Sequence, residues 1–243
     1  MKKPTDAGGR LAAIGHAARR LKDALLDLLY PRDVLCLCCD KAIAPDVQDG
    51  LCPACLEALE ELEAQQAEEE IVPAPGITLV RAAYPYTAQA RRLIIRLKYE
   101  HVRDAAVPLA RAMAMLPGGE ADLLVPVPTT KKRRRERGYN QAQVLAELIG
   151  RETGMQVIPA LQRTDEHAAQ VKLSGQSRRQ NLRGVMIADE RVRGKRILLI
   201  DDVYTTGSTA EEATRALLDA GALSVQVFTA AKSMYDGEIP AGQ

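Results

Sequence analysis

The stretch Arg196-Ile-Leu-Leu-Ile-Asp-Asp-Val-Tyr-Thr-Thr-Gly-Ser-Thr209 narrows what this 243-residue chain can fold into. Arg196 to Ile200 is a short apolar run rich in β-branched residues, the pattern of a strand buried on both faces. It ends in two carboxylates, Asp201 and Asp202, and a loop of hydroxyls with one glycine follows. A helix then begins, with capping-box spacing at Ser208 and Glu211 or at Thr209 and Glu212. Gly221 marks its far end.

Strand, polar loop and helix start together build an anion site. First-turn N–H groups lack intrahelical partners and point into the loop, where the helix dipole adds positive potential. Gly207 admits a phosphate close to the backbone, and Thr205, Thr206, Ser208 and Thr209 add hydroxyl donors. Asp201 and Asp202 would repel that phosphate, so they suit another part of the ligand. Carboxylates accept hydrogen bonds from a vicinal diol or hold a hydrated Mg²⁺. A ribose phosphate carries both features. Two aspartates at a strand end can also be solvated turn residues; the apolar run before them and the Thr-Thr-Gly-Ser-Thr after them favour the phosphosugar. The chain has neither a Walker loop nor a Rossmann glycine fingerprint, which disfavours a nucleoside triphosphate or dinucleotide.

The 201–209 motif resembles the signature of type I phosphoribosyltransferases. That resemblance implies that Asp201 and Asp202, followed by Val203, are the catalytic acids and bind the ribose hydroxyls of phosphoribosyl pyrophosphate (PRPP). It further implies that Thr205, Thr206, Gly207, Ser208 and Thr209 cradle the 5′-phosphate.

With 47% apolar residues the chain can bury a sizeable core and hold one domain plus a small module. A net charge of +1 does not announce a nucleic-acid binder in bulk, though local clusters can act as one. Apolar runs are too short to span a membrane, and charges interrupt those near the N-terminus, against a secretory signal. Five cysteines, four of them in two CxxC pairs, suit a reducing compartment and a metal better than disulfides. The expected location is the cytoplasm.

Residues 10–30 read as an amphipathic helix ended by Pro31, destined to pack on its own protein or to touch a membrane surface or partner. Cys36 and Cys39, then Cys52 and Cys55, offer four thiolates from two tight turns, the ligand set of a closed, structural Zn²⁺ site. Cys38 competes with Cys39 for the first pair; spacing favours Cys39. Residues 56–70 form an acidic helix with Leu56, Leu59 and Leu62 along one side. Ile71–Gly76 reads as a linker and places a domain boundary there. The predicted division is therefore an N-terminal helix (1–30), a zinc-ribbon module with the acidic helix (31–70), and a larger domain (77–235).

From residue 77 strands alternate with helices. Strands are expected at 77–84, 123–125, 156–158, 185–188, 196–200 and 224–229, with helices at 87–97, 102–115 and 140–152. This is the α/β pattern of a doubly wound, mainly parallel sheet, which binds ligands beyond the carboxyl ends of its strands, where Asp201 sits. Pro128 to Gln141 reads as a second loop at that rim. Its basic run at 131–137 would hold pyrophosphate, through Arg133, Arg137, Gly138 and Asn140, or else a nucleic-acid backbone. Arg163 to Gly184 is long and polar, with Gln170, Arg178 and Asn181 among its residues, and suits a cationic lid over a diphosphate leaving group.

The two CxxC pairs, Leu97-Lys98-Tyr99, Val125-Pro-Val-Pro128, Arg133, Arg137-Gly-Tyr-Asn-Gln141, Arg163, Gln170, Arg178, Asn181, Gly184 and the Asp201 motif resemble, in that order, the ComF family. The likeness runs from about Pro31 to Lys232. It implies an N-terminal zinc ribbon joined to a type I phosphoribosyltransferase domain, with PRPP and Mg²⁺ as ligands, and a role in DNA uptake during natural competence through handling of single-stranded DNA. Relatives often carry another cysteine pair after the first ribbon; residues 56–76 hold none, so one zinc is expected. Tyr139 stands where phenylalanine is commoner.

Two functions compete. An enzyme, serving DNA uptake or nucleotide metabolism, would transfer the ribosyl group of PRPP to an acceptor that nothing in the sequence specifies. A binding module would associate with single-stranded DNA and the uptake machinery while retaining the phosphosugar pocket, although 3% aromatic residues and no tryptophan argue against an extensive base-stacking platform. A ribbon that merely docks partners is a third option.

Overall fold

The computed structural model describes residues 35–44, 47–67, 71–163 and 186–233. The helix expected at 10–30, and Gln170, Arg178 and Asn181, lie outside them. The chain divides into two units, Met1–Cys52 and Pro53–Gln243.

Among the described residues the larger unit contains strands β1 (Leu79–Pro85), β2 (Leu123–Pro126), β3 (Leu161–Arg163), β4 (Met186–Ala188), β5 (Arg196–Tyr204) and β6 (Ser224–Lys232). Its helices are α1 (Pro53–Ala67), α2 (Ala88–Tyr99), α3 (Ala106–Ala114), α4 (Lys131–Arg137), α5 (Gln141–Thr153) and α6 (Ser208–Asp219). The main sheet is wholly parallel in the order β1-β6-β5-β2, and β3 and β4 form a separate antiparallel pair. Side chains alternate across a strand. Ile197 and Leu199 of β5 join a core with Val225 and Val227 of β6 and with Ala213, Ala216 and Leu217 of α6. Leu198 and Ile200 are buried outside that cluster, and α5 packs against β2, β5 and α3. Both faces are thus covered, as a doubly wound sheet requires.

The run at 156–158 makes a single parallel bridge, Val157 with Leu124, instead of a strand. Leu124 exchanges two hydrogen bonds there, N–H to Gln156 O and O from Ile158 N–H, each 2.9 Å. The next donor on that side of β2 would be Pro126, which has none, so the outer ladder stops. On the inner side Val127 N–H still reaches Ile200 O at 2.9 Å.

Three other expectations change. Lys131–Arg137 is a helix, not a loop: Thr130 Oγ1 accepts from Arg133 N–H at 3.2 Å, and Gly138 closes the far end at φ 79°. Lysine, arginine and glutamate are good helix formers, and a capping threonine and a left-handed glycine bracket them. No capping box forms at α6, because Gly207 occupies the N-cap and Ser208 is already helical. Residues 71–76 are no free linker: Ile71 is buried in the core, and Ala74 packs against it. Helix α1 packs on β1, where Tyr84 Oη donates to Glu63 Oε1 at 2.7 Å. It therefore belongs to the larger unit, upstream of the boundary expected at 71–76.

Candidate functional site

Strand β5 does not stop at Ile200; it continues through Asp201, Asp202, Val203 and Tyr204 before turning into α6. The turn is tight because of Gly207, whose φ of 78° is left-handed. A Cβ on Gly207 would lie 2.5 Å from Tyr204 Oη and 2.9 Å from its Cζ. Any other residue would collide with the ring that closes the loop. Thr206 Oγ1 and Ser208 Oγ lie 2.9 Å apart, Ser208 N–H points to Thr206 Oγ1 at 3.4 Å, and Glu211 N–H bonds Gly207 O at 2.8 Å.

Asp201, Val203, Thr205, Gly207 and Thr209 line one shallow pocket together with Thr229. Thr229, from β6, is the register partner of Asp201. One wall is the start of α6, with first-turn N–H groups that have no intrahelical partner and the positive dipole end, and the other is a carboxylate. The pocket thus offers an anion seat and an acceptor for hydroxyls side by side.

The two aspartates are not equivalent. Adjacent strand residues point to opposite faces. Asp201 turns to the pocket, and its Oδ1 also accepts Asp202 N–H at 2.8 Å. Asp202 is absent from the pocket lining and accepts from Lys98 Nζ at 2.7 Å, with side-chain exposures of 15% and 19%. Burial pushes the Asp201 carboxyl up to about 7, and the Asp202 charge adds to the rise; Asp202 N–H, Lys98 and Arg163 pull the other way. Burial alone would lower the Lys98 ammonium, but the charge and hydrogen bond of Asp202, with Asp201 and Tyr86 behind, hold it above its ordinary value.

The basic segment is tied to the same region. Asn140 caps α5 without a side-chain cap bond, because its amide donates to Val127 O at 2.9 Å, where β2 ends. Tyr139 Oη donates to Leu97 O at 2.7 Å, and the Arg137 guanidinium lies 5.0 Å from the centre of the Tyr99 ring. Lys131 to Glu136 are exposed, and Arg133 engages Thr130 only through its backbone. Lys98, Thr229 and Arg163 were not among the site residues expected from sequence. Lys98 and Arg163 stood in the sequence only as members of the family-like motifs, Arg163 also as the start of the proposed lid, and for Thr229 the only signal was its place on a neighbouring strand.

Near the N-terminus the sulfurs of Cys36, Cys39, Cys52 and Cys55 all lie within 4.8 Å of one another, a set that could hold a metal ion. Tetrahedral Zn–S bonds of ~2.3 Å put sulfurs ~3.8 Å apart, and Cys39 Sγ and Cys52 Sγ stand 3.7 Å apart. Cys38 contributes its N–H to Cys36 Sγ at 3.4 Å, and Cys52 N–H does likewise at 3.3 Å. Burial alone would raise the Cys36 thiol, but backbone N–H groups of Cys52, Cys39 and Cys38 bring it down to about 7. Such bonds stabilise the thiolate a metal needs, so donor set and spacing both fit. Among the described residues no helix is long and apolar enough to cross a membrane.

The phosphoribosyl transferase domain profile matches residues 125–238, which contain the end of β2, strands β3 to β6 and the acid-turn pocket. DNA utilization protein YhgH of Escherichia coli K12 is 31% identical over 215 residues, covering 82% of this chain and 91% of its own. Competence protein ComFC of Bacillus subtilis is 32% identical over 161 residues, covering 63% and 64%, and competence protein F of Haemophilus influenzae is 32% identical over 146 residues, covering 58% and 61%. A glutamine PRPP amidotransferase from B. subtilis superposes at a TM-score of 0.40, with 22% identity over 54% of this chain and 26% of its own, too loosely to add to the domain match. Similarity to the E. coli protein that runs through most of both sequences goes beyond one shared domain, and the chain belongs to the ComF family of phosphoribosyl transferase-domain proteins.

Proposed function

We propose that this protein binds PRPP, or a closely related ribose phosphate, together with Mg²⁺, and serves the handling of DNA brought into the cell. The observation that carries the ligand is the pocket in which Asp201 and the 205–209 turn face one another at the carboxyl end of β5. Thr205 to Thr209 would take the 5′-phosphate, the acid pair the ribose hydroxyls, and Arg133, Arg137, Gly138 and Asn140 with Mg²⁺ the diphosphate. The DNA connection comes from the relatives, which are named for DNA utilization and for competence. The four thiolates would hold Zn²⁺ as a structural ion. Cysteines that form no disulfide and gather round a metal fit a reducing cytoplasm.

Transfer from PRPP would break the bond between the sugar's C1 and the pyrophosphate oxygen, which leaves with the electron pair, while an acceptor nucleophile bonds to C1. The transition state is a ribosyl cation beside a departing diphosphate, so catalysis asks for placed charge more than for a nucleophilic side chain. That is what an acid pair and a basic segment at one rim would supply. A second reading, binding of single-stranded DNA without turnover, draws on the exposed arginines of α4.

Calorimetric titration with Mg-PRPP, comparing the chain with an Asp201→Ala, Asp202→Ala variant, tests the proposal. Saturable binding to the first and none to the second is the expected result; no heat from the unsubstituted chain contradicts it. Pyrophosphate release measured with candidate acceptors then separates turnover from binding.

A further inference from the structure

We infer that Lys98 is the positioning residue of the phosphosugar site, clamping Asp202 on one face of the sheet so that Asp201 meets the ligand from the other. The inference rests on the ribose-phosphate reading above and refines it, since it assigns the two acids different work.

Its basis is geometric. Asp201 and Asp202 are consecutive in a continuing strand and therefore diverge. Asp201 lines the pocket with the α6 turn, whereas Asp202 is bonded to Lys98 Nζ at 2.7 Å in a place where both side chains are largely covered. A half-buried carboxylate beside a like charge must protonate, turn away or find a cation. Lys98 is that cation. It also compensates for the charge that would otherwise weaken Asp201 as an acceptor. Arg163 is the other cation acting on Asp201, and Tyr86 is a further titratable group acting on Lys98.

Lys98 is itself held in place. It lies in the last turn of α2, where a cation is favoured by the helix dipole, and Leu93, Ile94 and Leu97 of that helix are fully buried. Its neighbours hook the basic segment: Leu97 O accepts from Tyr139 Oη, and Tyr99 carries the Arg137 guanidinium on its ring. Three consecutive residues at the end of one helix thus reach both the acid pair and the end of α4. A solvated surface lysine would have neither the short bond nor the coverage.

The test titrates Mg-PRPP and, separately, inorganic phosphate into the unsubstituted chain, Lys98→Met, Lys98→Arg, Asp202→Asn and the Lys98→Met, Asp202→Asn double variant, with thermal unfolding of each. Lys98→Met should weaken Mg-PRPP by about tenfold or more, as loss of an orienting partner does. It should leave phosphate affinity within about twofold, because phosphate alone would sit on the 205–209 turn and the two sites are independent. Lys98→Arg should recover most of the PRPP affinity, and the double variant should bind no worse than Lys98→Met. Wild-type affinity in Lys98→Met overturns the inference. So does equal loss in Lys98→Met and Lys98→Arg together with a lowered melting temperature, which would mark a purely structural lysine. If the unsubstituted chain fails to bind Mg-PRPP, the ribose-phosphate reading falls and takes this inference with it, an outcome distinct from either of those.

Discussion

Asp201 is where the chemistry and the cost of the site meet. Its carboxyl, raised to about 7, keeps a proton in the folded chain between about pH 4 and 7 that the unfolded chain has already released. Folding stability should therefore fall as pH rises through that window, and above pH 7 the ionised acid is a standing burden. Asp201→Asn should flatten this dependence and raise the melting temperature at pH 8 by a few degrees while abolishing PRPP binding, a trade typical of functional sites; unfolding scans at pH 5 and pH 8 check it. Ligand binding that requires the ionised form should strengthen with pH, by up to about tenfold per unit below the midpoint, when titrated between pH 6 and 8. Gly207 makes a second prediction. With its left-handed backbone and Tyr204 against it, Gly207→Ala should lose about 1–3 kcal/mol in urea unfolding and weaken phosphate binding. Both residues stand out in the sequence, as part of an acid pair followed by hydroxyls and a glycine. The sequence did not announce that the acids part company. That needs β5 to run on to Tyr204, and the apolar run that marks the strand ends at Ile200. Lys98 stood out only as part of the Leu97-Lys98-Tyr99 motif, and its role did not: its bond to Asp202 is made by packing between distant parts of the chain, which no local pattern encodes.

At the level of elements, α4 is the part whose nature changed between sequence and structure. Six cations between 131 and 137 suggested a loop for polyphosphate or a nucleic-acid backbone, yet Thr130 and Gly138 mark the start and stop of a helix around them. Both signals are present in the sequence, beneath the run of charge. A rigid, exposed basic helix presents a fixed array to a polyanion. If single-stranded DNA binds there, replacing Arg133, Arg134 and Arg135 by alanine should weaken it and reduce the slope of log K against log salt by ~0.7 per lost phosphate contact. Fluorescence anisotropy with a labelled oligonucleotide between 50 and 200 mM salt reads this directly; an unchanged slope would remove α4 from any DNA surface. The parallel sheet was legible in outline, though not its strand order. Alternating strand and helix patterns pointed to a parallel sheet, but 156–158 fell short of a strand because Pro126 cannot donate to it.

At the level of the molecule, a cysteine-bearing N-terminal part stands ahead of an α/β domain whose central strands deliver the pocket. The metal prediction belongs here: purified protein should carry one zinc per chain by elemental analysis, lost in Cys39→Ser and kept in Cys38→Ser, because only the former's sulfur joins the four-thiol cluster. Equal retention in both variants would disprove the assignment. Family membership was legible from ordered motifs spread along the chain, and similarity over most of the length of its relatives established it. The ligand is the remaining test. A crystal structure with ribose 5-phosphate or Mg-PRPP would decide it most directly: the phosphate should accept bonds of ~3 Å from the backbone N–H groups of 205–209, with a sugar hydroxyl on Asp201 and Asp202 still bound to Lys98. A phosphosugar bound elsewhere, with the 205–209 turn empty and Asp201 facing water, would contradict the account.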